Sequence, residues 1–342
     1  MNTQNEVSRL RLSDQSGASK FSLYPIRHLS PQDQILFEKY GAGPRKLPSY
    51  SMIHQAFEAQ VLRQPNAIAV QFQNETITYK NLDLQANRLA EWLREQGVQA
   101  GDHVGLFTER GIEMPVSIMG ILKLGAAYVP QDARIAKREQ LNHVIQVAQI
   151  KIVLTLSKLR TSIPEGVKIL AVDEFMLEES ELNLIHLHAA KPQVIANSQS
   201  TCFVLFTSGT TGAPNGVQVT HANLCNILLT APGNLGMGPG LCVSQILNIA
   251  FDMAAWEILG SLANGSTLLI RGSDIAETVQ KAHIVIATPS VLGKVDVSLC
   301  HNLKTVAVAG EPCPRPLADK WSQVCDFYNS CGPTEVTIVN TM

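Results

Sequence analysis

Short apolar runs alternate with longer amphipathic stretches along most of this chain, and that alternation constrains the fold more than any other feature. An apolar run bounded by turn formers reads as a buried strand. Apolar residues returning every three or four positions read as one face of a helix. In the first half the runs fall at 67–72, 76–79, 103–107, 126–129, 152–155 and 167–172. Helical spacing covers 52–63, 80–96, 113–124 and 137–149, with Leu82, Ala86, Leu89, Ala90 and Leu93 on one face of the second. Gly97 and Gly125 close two of these helices, and Pro130 is expected to stop the strand before it. The second half repeats the scheme, with strands at 202–206, 242–247, 267–270, 284–287, 305–309 and 324–328 and helices that include 253–262 and 315–323. Strands separated by helices of this length predict an α/β fold, with mostly parallel sheets covered by helices. Residues 1–48 read as a tail with a short helix near 31–39, 49–200 as a first α/β subdomain, and 201–342 as a second. An acidic and then polar interval, 173–200, reads as a loose connection between the two.

Composition removes several classes of function. With 342 residues, 45% hydrophobic and 16% charged, the chain can bury two sizeable cores. A net charge of -2 gives no bulk attraction to nucleic acid or to an anionic membrane. The first twenty residues lack the apolar block of a secretory signal, and the longest apolar stretch, 116–129, is broken by Lys123 and Gly125. The seven cysteines form no CxxC pair, which predicts reduced thiols in a cytoplasmic protein and no metal centre of cysteine and histidine ligands.

The most chemically loaded stretch is Phe206-Thr207-Ser208-Gly209-Thr210-Thr211-Gly212-Ala213-Pro214-Asn215-Gly216. Read between an apolar run and a helix-like segment at 221–229, it has the makings of a phosphate cradle. Glycine lets backbone N–H groups approach an anion, and hydroxyls add donors. It fits neither G-x-x-x-x-G-K-[ST] nor G-x-G-x-x-G.

Taken with other elements, the loop resembles the phosphate loop of adenylate-forming enzymes, [FY]-T-S-G-[ST]-T-G-x-P-K-G. Further stretches resemble the amino-acid-activating adenylation domains of nonribosomal peptide synthetases, in the right order. They are Ile77-Thr78-Tyr79-Lys80-Asn81-Leu82, Leu122-Lys123-Leu124-Gly125-Ala126-Ala127-Tyr128-Val129-Pro130-Gln131-Asp132, Phe251-Asp252 with Trp256-Glu257, Ala309-Gly310-Glu311, and Asn329-Ser330-Cys331-Gly332-Pro333-Thr334-Glu335. The resemblance runs from about residue 50 to 342. It implies a monomeric ligase of secondary metabolism that joins an amino-acid carboxylate to the α-phosphate of Mg-ATP and releases pyrophosphate. The acyl group then passes to the phosphopantetheine thiol of a carrier-protein domain.

Carried over residue by residue, Thr207, Ser208, Thr210 and Thr211 would hold the β- and γ-phosphates, with Gly209 and Gly212 shaping the loop. Thr334 would touch the α-phosphate and Glu335 would take Mg²⁺. Asn329, with Ser330 and Cys331 beside it, would meet the adenine, which lies against Gly310. Asp252 would pair with the substrate ammonium, although a helix N-cap would explain that carboxylate as well. Met253, Trp256, Ala287, Ala307, Ala309, Ser330, Ile338 and Val339 would line the side-chain pocket. Without a formal charge, that lining predicts a neutral, bulky, aromatic amino acid.

Two departures weaken the ATP site. Asn215 replaces the loop's usual lysine, at roughly 1.5–3 kcal/mol per lost charge-assisted bond. Cys331 replaces an aromatic, and base stacking is worth roughly 1–3 kcal/mol in nucleic-acid binders. The sequence also stops at Met342, before the ribose-binding aspartate and the lysine-bearing lid of the family, so the chain alone is expected to make little or no adenylate. No condensation domain precedes it, which suggests an initiating module or a stand-alone activating enzyme. Two other readings fit the same residues: an acyl- or aryl-CoA ligase core, against which Asp252 argues, and a non-catalytic nucleotide-binding scaffold.

Overall fold

Two sheets carry the fold, and both draw strands from the two sides of residue 200. The structure is a computed structural model that describes residues 30–40, 46–181, 192, 196–207 and 214–342. Within it, helix α1 (Pro31–Tyr40) belongs to a unit ending at Arg45, and Lys46–Met342 forms a second compact unit. The second unit opens with α2 (Ile53–Arg63), the hairpin β1 (Ile68–Phe72) and β2 (Glu75–Thr78), and α3 (Tyr79–Glu95). Then come β3 (His103–Thr108), α4 (Glu113–Lys123), β4 (Ala127–Asp132), α5 (Arg138–Val147), β5 (Ile152–Thr155), β6 (Lys168–Ala171) and α6 (Val172–Glu181). A second hairpin, β7 (Thr201–Thr207) and β8 (Asn215–Thr220), leads into α7 (His221–Leu228). The rest alternates: β9 (Cys242–Gln245), α8 (Asp252–Asn264), β10 (Thr267–Ile270), α9 (Ile275–Lys281), β11 (Ile284–Ala287), α10 (Pro289–Leu292), β12 (Thr305–Val308), α11 (Arg315–Trp321) and β13 (Asp326–Asn329).

The seven-stranded sheet has the order β13-β12-β11-β9-β10-β1-β2, and the six-stranded sheet the order β6-β5-β3-β4-β7-β8. All pairs are parallel except the two hairpins, β1–β2 and β7–β8. The early hairpin therefore completes the later sheet, with Val70 opposite Leu268, while 201–220 finish the earlier one.

Helices α2, α3, α4 and α8 supply the apolar faces that fill the main core. Thr78 accepts a hydrogen bond from the Asn81 N–H and so caps α3. Tyr79 is buried and donates to the Ser266 carbonyl at 2.7 Å, which joins the start of α3 to the end of α8. Buried Lys123, at the end of α4, meets Glu58 at 2.6 Å and Asp83 at 2.8 Å. These residues of the sequence elements at 77–82 and 122–132 hold helices together.

Three expectations need correction. Pro130 does not stop its strand: β4 runs on to Asp132. β4 pairs with β7 at Tyr128 opposite Phe203, upstream of the proline, so no partner on that side demands a proline N–H. Asn215–Thr220 is a strand, so a hairpin strand stands between the loop and the expected helix, which follows as α7. The acidic connection begins as helix α6, whose Phe175 is buried and stacks on Trp92 with centroids 4.6 Å apart. Among the described residues no helix is long and apolar enough to cross a membrane.

Candidate functional site

The C-terminal ends of the parallel strands in the seven-stranded sheet converge on one region, where ligands bind in open α/β sheets. Asp252 follows β9, Thr288 follows β11, Ala309 and Gly310 follow β12, and Ser330 follows β13.

Asp252 is the first residue of α8. The cap position itself is Phe251, which makes no side-chain cap bond. The half-buried carboxyl is pushed above the usual aspartate range by burial. The Thr334 hydroxyl, the N–H groups of Met253 and Asp252, and then the charge of Glu335 act on it in decreasing order; the donors lower it and the charge raises it. Thr334 and Glu335 stand in a short 3-10 turn, Thr334–Val336, with Glu335 exposed. Asp252 thus shares one field with a hydroxyl and a carboxylate that lie 82 and 83 positions further along the chain.

The segment after β13 is tightly folded. Cys331 and Thr341 bond through N–H to O at 3.0 and 3.1 Å, closing a loop around the turn. A Cβ on Gly332 would lie 2.5 Å from the Val339 Cα, so no side chain fits there. Thr337 and Ile338 both have φ of 69°, a costly conformation for β-branched residues. Asn223 of α7 donates to the Thr337 hydroxyl at 3.1 Å, holding that turn against the hairpin side of the molecule.

Gly310 has φ of 83°, and its missing side chain faces the Met253 sulfur at 3.7 Å and Thr288 at 3.8 Å. The next residue, Glu311, accepts hydrogen bonds from the Ser290 N–H at 3.0 Å and from the Ser290 hydroxyl, tying this turn to α10. Asn329 and Cys331 are exposed on either side of buried Ser330.

Of the residues assigned to the pocket, Met253, Trp256, Ala307, Ala309, Ile338 and Val339 share one apolar cluster. Ala287 packs in a different cluster, on the other face of the sheet with Val285 and Val308. Trp256 is fully buried and donates its indole N–H to the Gly233 carbonyl at 2.6 Å. The Ser330 hydroxyl is buried and has no hydrogen-bond partner among the described residues, which is costly unless a ligand supplies one.

Thr207 ends β7 opposite Asn215, and both flank the glycine-rich loop. Ser208, Gly209, Thr210, Thr211 and Gly212 lie outside the described residues. Sequence reasoning missed one neighbour: His143 of α5, whose Nε2 lies 2.8 Å from the Pro214 carbonyl and whose ring meets Phe206 edge-on. Nothing local in the sequence marks it, because the contact spans 71 positions. No group of three or more histidine, cysteine or acidic side chains among the described residues could hold a metal by itself. A magnesium ion takes one or two carboxylates plus phosphate oxygens and water, so Glu335 with a bound triphosphate fits its chemistry.

The AMP-binding enzyme family matches residues 57–342. The chain is 44% identical over 322 residues to adenylate-forming reductase 06235 of Coprinopsis cinerea, covering 93% of this chain and 31% of that protein. It is 31% identical over 343 residues to bacitracin synthase 3 of Bacillus licheniformis, covering 96% of this chain and 5% of the synthase. It spans less than a third of the length of these curated relatives. Among solved structures, the nonribosomal peptide synthetase FmoA3 in its AMPPNP-bound form superposes with a TM-score of 0.79 at 25% identity, over 91% of this chain and 34% of that one. The N-terminal subdomain of Klebsiella oxytoca NpsA shares the fold, with a TM-score of 0.75 at 22% identity over 86% of this chain and 76% of that one.

Proposed function

The chain belongs to the AMP-binding enzyme family, and from that membership we propose that it is the core of an enzyme that activates an amino acid as its adenylate. A carboxylate oxygen of the amino acid attacks the α-phosphorus of ATP. The new bond is carboxyl oxygen to phosphorus, the bond that breaks joins the α-phosphorus to its bridging oxygen, and pyrophosphate leaves. The carboxylate is already a nucleophile, so the protein's task is alignment and charge stabilisation. Magnesium, when bound, neutralises phosphate charge. Thr334 would donate to the α-phosphate, Glu335 would hold the ion, and Thr207 with the loop that follows would hold the outer phosphates. Asn329 and Gly310 would border the adenine.

The observation that carries the amino-acid assignment is Asp252 beside Thr334, within the field of Glu335. A carboxylate at the start of α8, followed by the apolar run 253–256, is suited to a cation, and the substrate ammonium is the cation this chemistry brings. The adjoining lining is uncharged and suits a neutral side chain, which we take to be bulky and aromatic. The free cysteines and the ATP chemistry fit a cytoplasmic enzyme, and a carrier-protein thiol is the acceptor we assign.

Calorimetric titration tests this. Wild-type protein is expected to bind an aminoacyl sulfamoyladenosine with an uncharged side chain, a stable mimic of the adenylate, at least tenfold more tightly than the same compound without its amine. Asp252→Asn should erase the difference while leaving AMP binding in place. Equal affinity for both compounds in the wild type would transfer the assignment to an acyl- or aryl-acid ligase. Binding of neither compound nor AMP would leave a scaffold.

A second reading concerns the fate of the acyl group. Identity of 44% and 43% to two relatives named adenylate-forming reductases favours an activated carboxyl destined for reduction. Reduction of the activated acyl group to an aldehyde, with NADPH giving hydride to the carbonyl carbon and the carrier thiol leaving, would select that reading.

A further inference from the structure

Asp252 lies between two hydrogen-bonded anchors, the Asn248 turn before it and Glu257 after it, in a circuit of chain that runs from β9 through α8. The circuit starts at the end of β9. Glu257, fully buried on α8, accepts the Ile246 N–H at 2.8 Å, the Leu247 N–H at 3.2 Å and the Gln245 amide at 3.2 Å. Asn248 then turns the chain: its side-chain oxygen accepts the Ala250 N–H at 2.9 Å and its carbonyl accepts the Phe251 N–H at 3.0 Å. The next residue is Asp252, which opens α8, and α8 carries Glu257 back to where the circuit began. The aspartate is thus fixed from both sides within its own sheet and helix.

A second grip comes from the other sheet. Arg110 follows β3, and its guanidinium donates to the Ile246 carbonyl at 3.0 Å, the Leu247 carbonyl at 2.7 Å and the Gln245 side chain at 3.2 Å. The peptide groups whose N–H ends are held by Glu257 therefore have neighbouring carbonyls held by Arg110. Asp132, at the end of β4, adds a contact to the Asn248 amide at 3.5 Å and pairs with Arg134 at 2.9 Å. Both β3 and β4 lie in the sheet that carries β7 and β8, the strands flanking the phosphate loop.

We propose that Arg110 is a positioning residue for Asp252. By holding the 245–248 segment against the six-stranded sheet, it sets the aspartate's place relative to the β7–β8 hairpin. The guanidinium suits this task because its planar fork serves several acceptors at once, which a single ammonium cannot do in the same geometry. Arg110 touches neither substrate nor nucleotide by this assignment. It acts through the backbone at Ile246 and Leu247, and the effect of losing it is read in recognition of the amine.

The proposal rests on Asp252 recognising an ammonium, so the test separates the two. The full chain and its variants are titrated with phenylalanyl sulfamoyladenosine, with the deaminated phenylpropionyl compound, and with AMP. In the wild type the ratio of the first two affinities measures amine recognition. Arg110→Met and Asn248→Ala are expected to lower that ratio at least fivefold, with AMP affinity unchanged within twofold. Arg110→Lys, which keeps the charge but not the fork, should lower it in part. If Arg110→Met does not fold, judged by far-UV circular dichroism and loss of AMP binding, the Arg110→Lys and Asn248→Ala ratios decide. A wild-type preference for the amine that survives these substitutions overturns the role of Arg110 and leaves that of Asp252 standing. Absence of the preference in the wild type removes both. A fall in AMP affinity equal to the fall in aminoacyl affinity would mark Arg110 as general scaffolding and overturn the proposal.

Discussion

Single residues show how burial and function were confounded in the sequence. His221 would pass for a polar helix start. Instead it is fully buried, its Nδ1 accepts the Ile53 N–H at 3.4 Å, and its ring meets His54 edge-on at 5.4 Å. Burial lowers it to about 4, below an ordinary histidine at 6.5. The folded protein therefore binds this proton less readily than the unfolded chain does. Stability contributed by neutral His221 is present above pH 6.5 and is lost as pH falls towards 4. At about 1.4 kcal/mol for each pH unit in that window, the loss reaches roughly 3 kcal/mol. Denaturant unfolding at pH 7.5, 6, 5 and 4.5 should show this decline, and His221→Gln should flatten it. Asp252 and Glu335 could be singled out because their neighbours in sequence form recognisable elements, and the structure sets the two in one field. Arg110, His143 and His221 were not, because each is defined by a partner more than 70 positions away.

At the scale of elements, the tight turn after β13 and the turn after β12 place different demands on their glycines. Gly332 is sterically required: a Cβ there would overlap the backbone of Val339 and Asn340. Gly310 is conformationally required, since its φ of 83° is strained for other residues while 3.7 Å of clearance remains to Met253. Gly332→Ala should displace the loop between Cys331 and Thr341, and with it Thr334 and Glu335, abolishing AMP binding. Gly310→Ala should cost only about 1–2 kcal/mol of stability and weaken AMP binding modestly. Thermal unfolding with and without AMP separates the two cases. The same scale explains which elements could be read. β10, β11 and β5 are short apolar runs bounded by turns, and their predicted and observed limits agree. β8 escaped notice because Asn215–Thr220 alternates polar and apolar residues at the edge of a sheet, where only one face is buried. Helix α6 escaped because its acidic surface hides the contribution of Val172 and Phe175 to the core.

For the whole molecule, the fold class followed from the alternation, whereas the partition of strands between sheets did not. Nothing local in Ile68–Phe72 says that its partner is Thr267–Ile270. A chain cut near residue 200 tests that partition. The N-terminal piece would hold β3–β6 but lack β7 and β8, and the C-terminal piece would lack β1 and β2. Each alone is expected to be poorly folded by circular dichroism, and mixing them during refolding should restore AMP binding. Independent folding of either piece would contradict the sheet assignments. The exchange of hairpins also sets an order of events during synthesis. The β1–β2 ribbon leaves the ribosome long before β10 exists, so its exposed edge must wait through most of translation before it is paired. Long-range parallel pairing of this kind is slow to form. It makes that early ribbon the place where a chaperone, or an aggregate, would first take hold of the nascent protein.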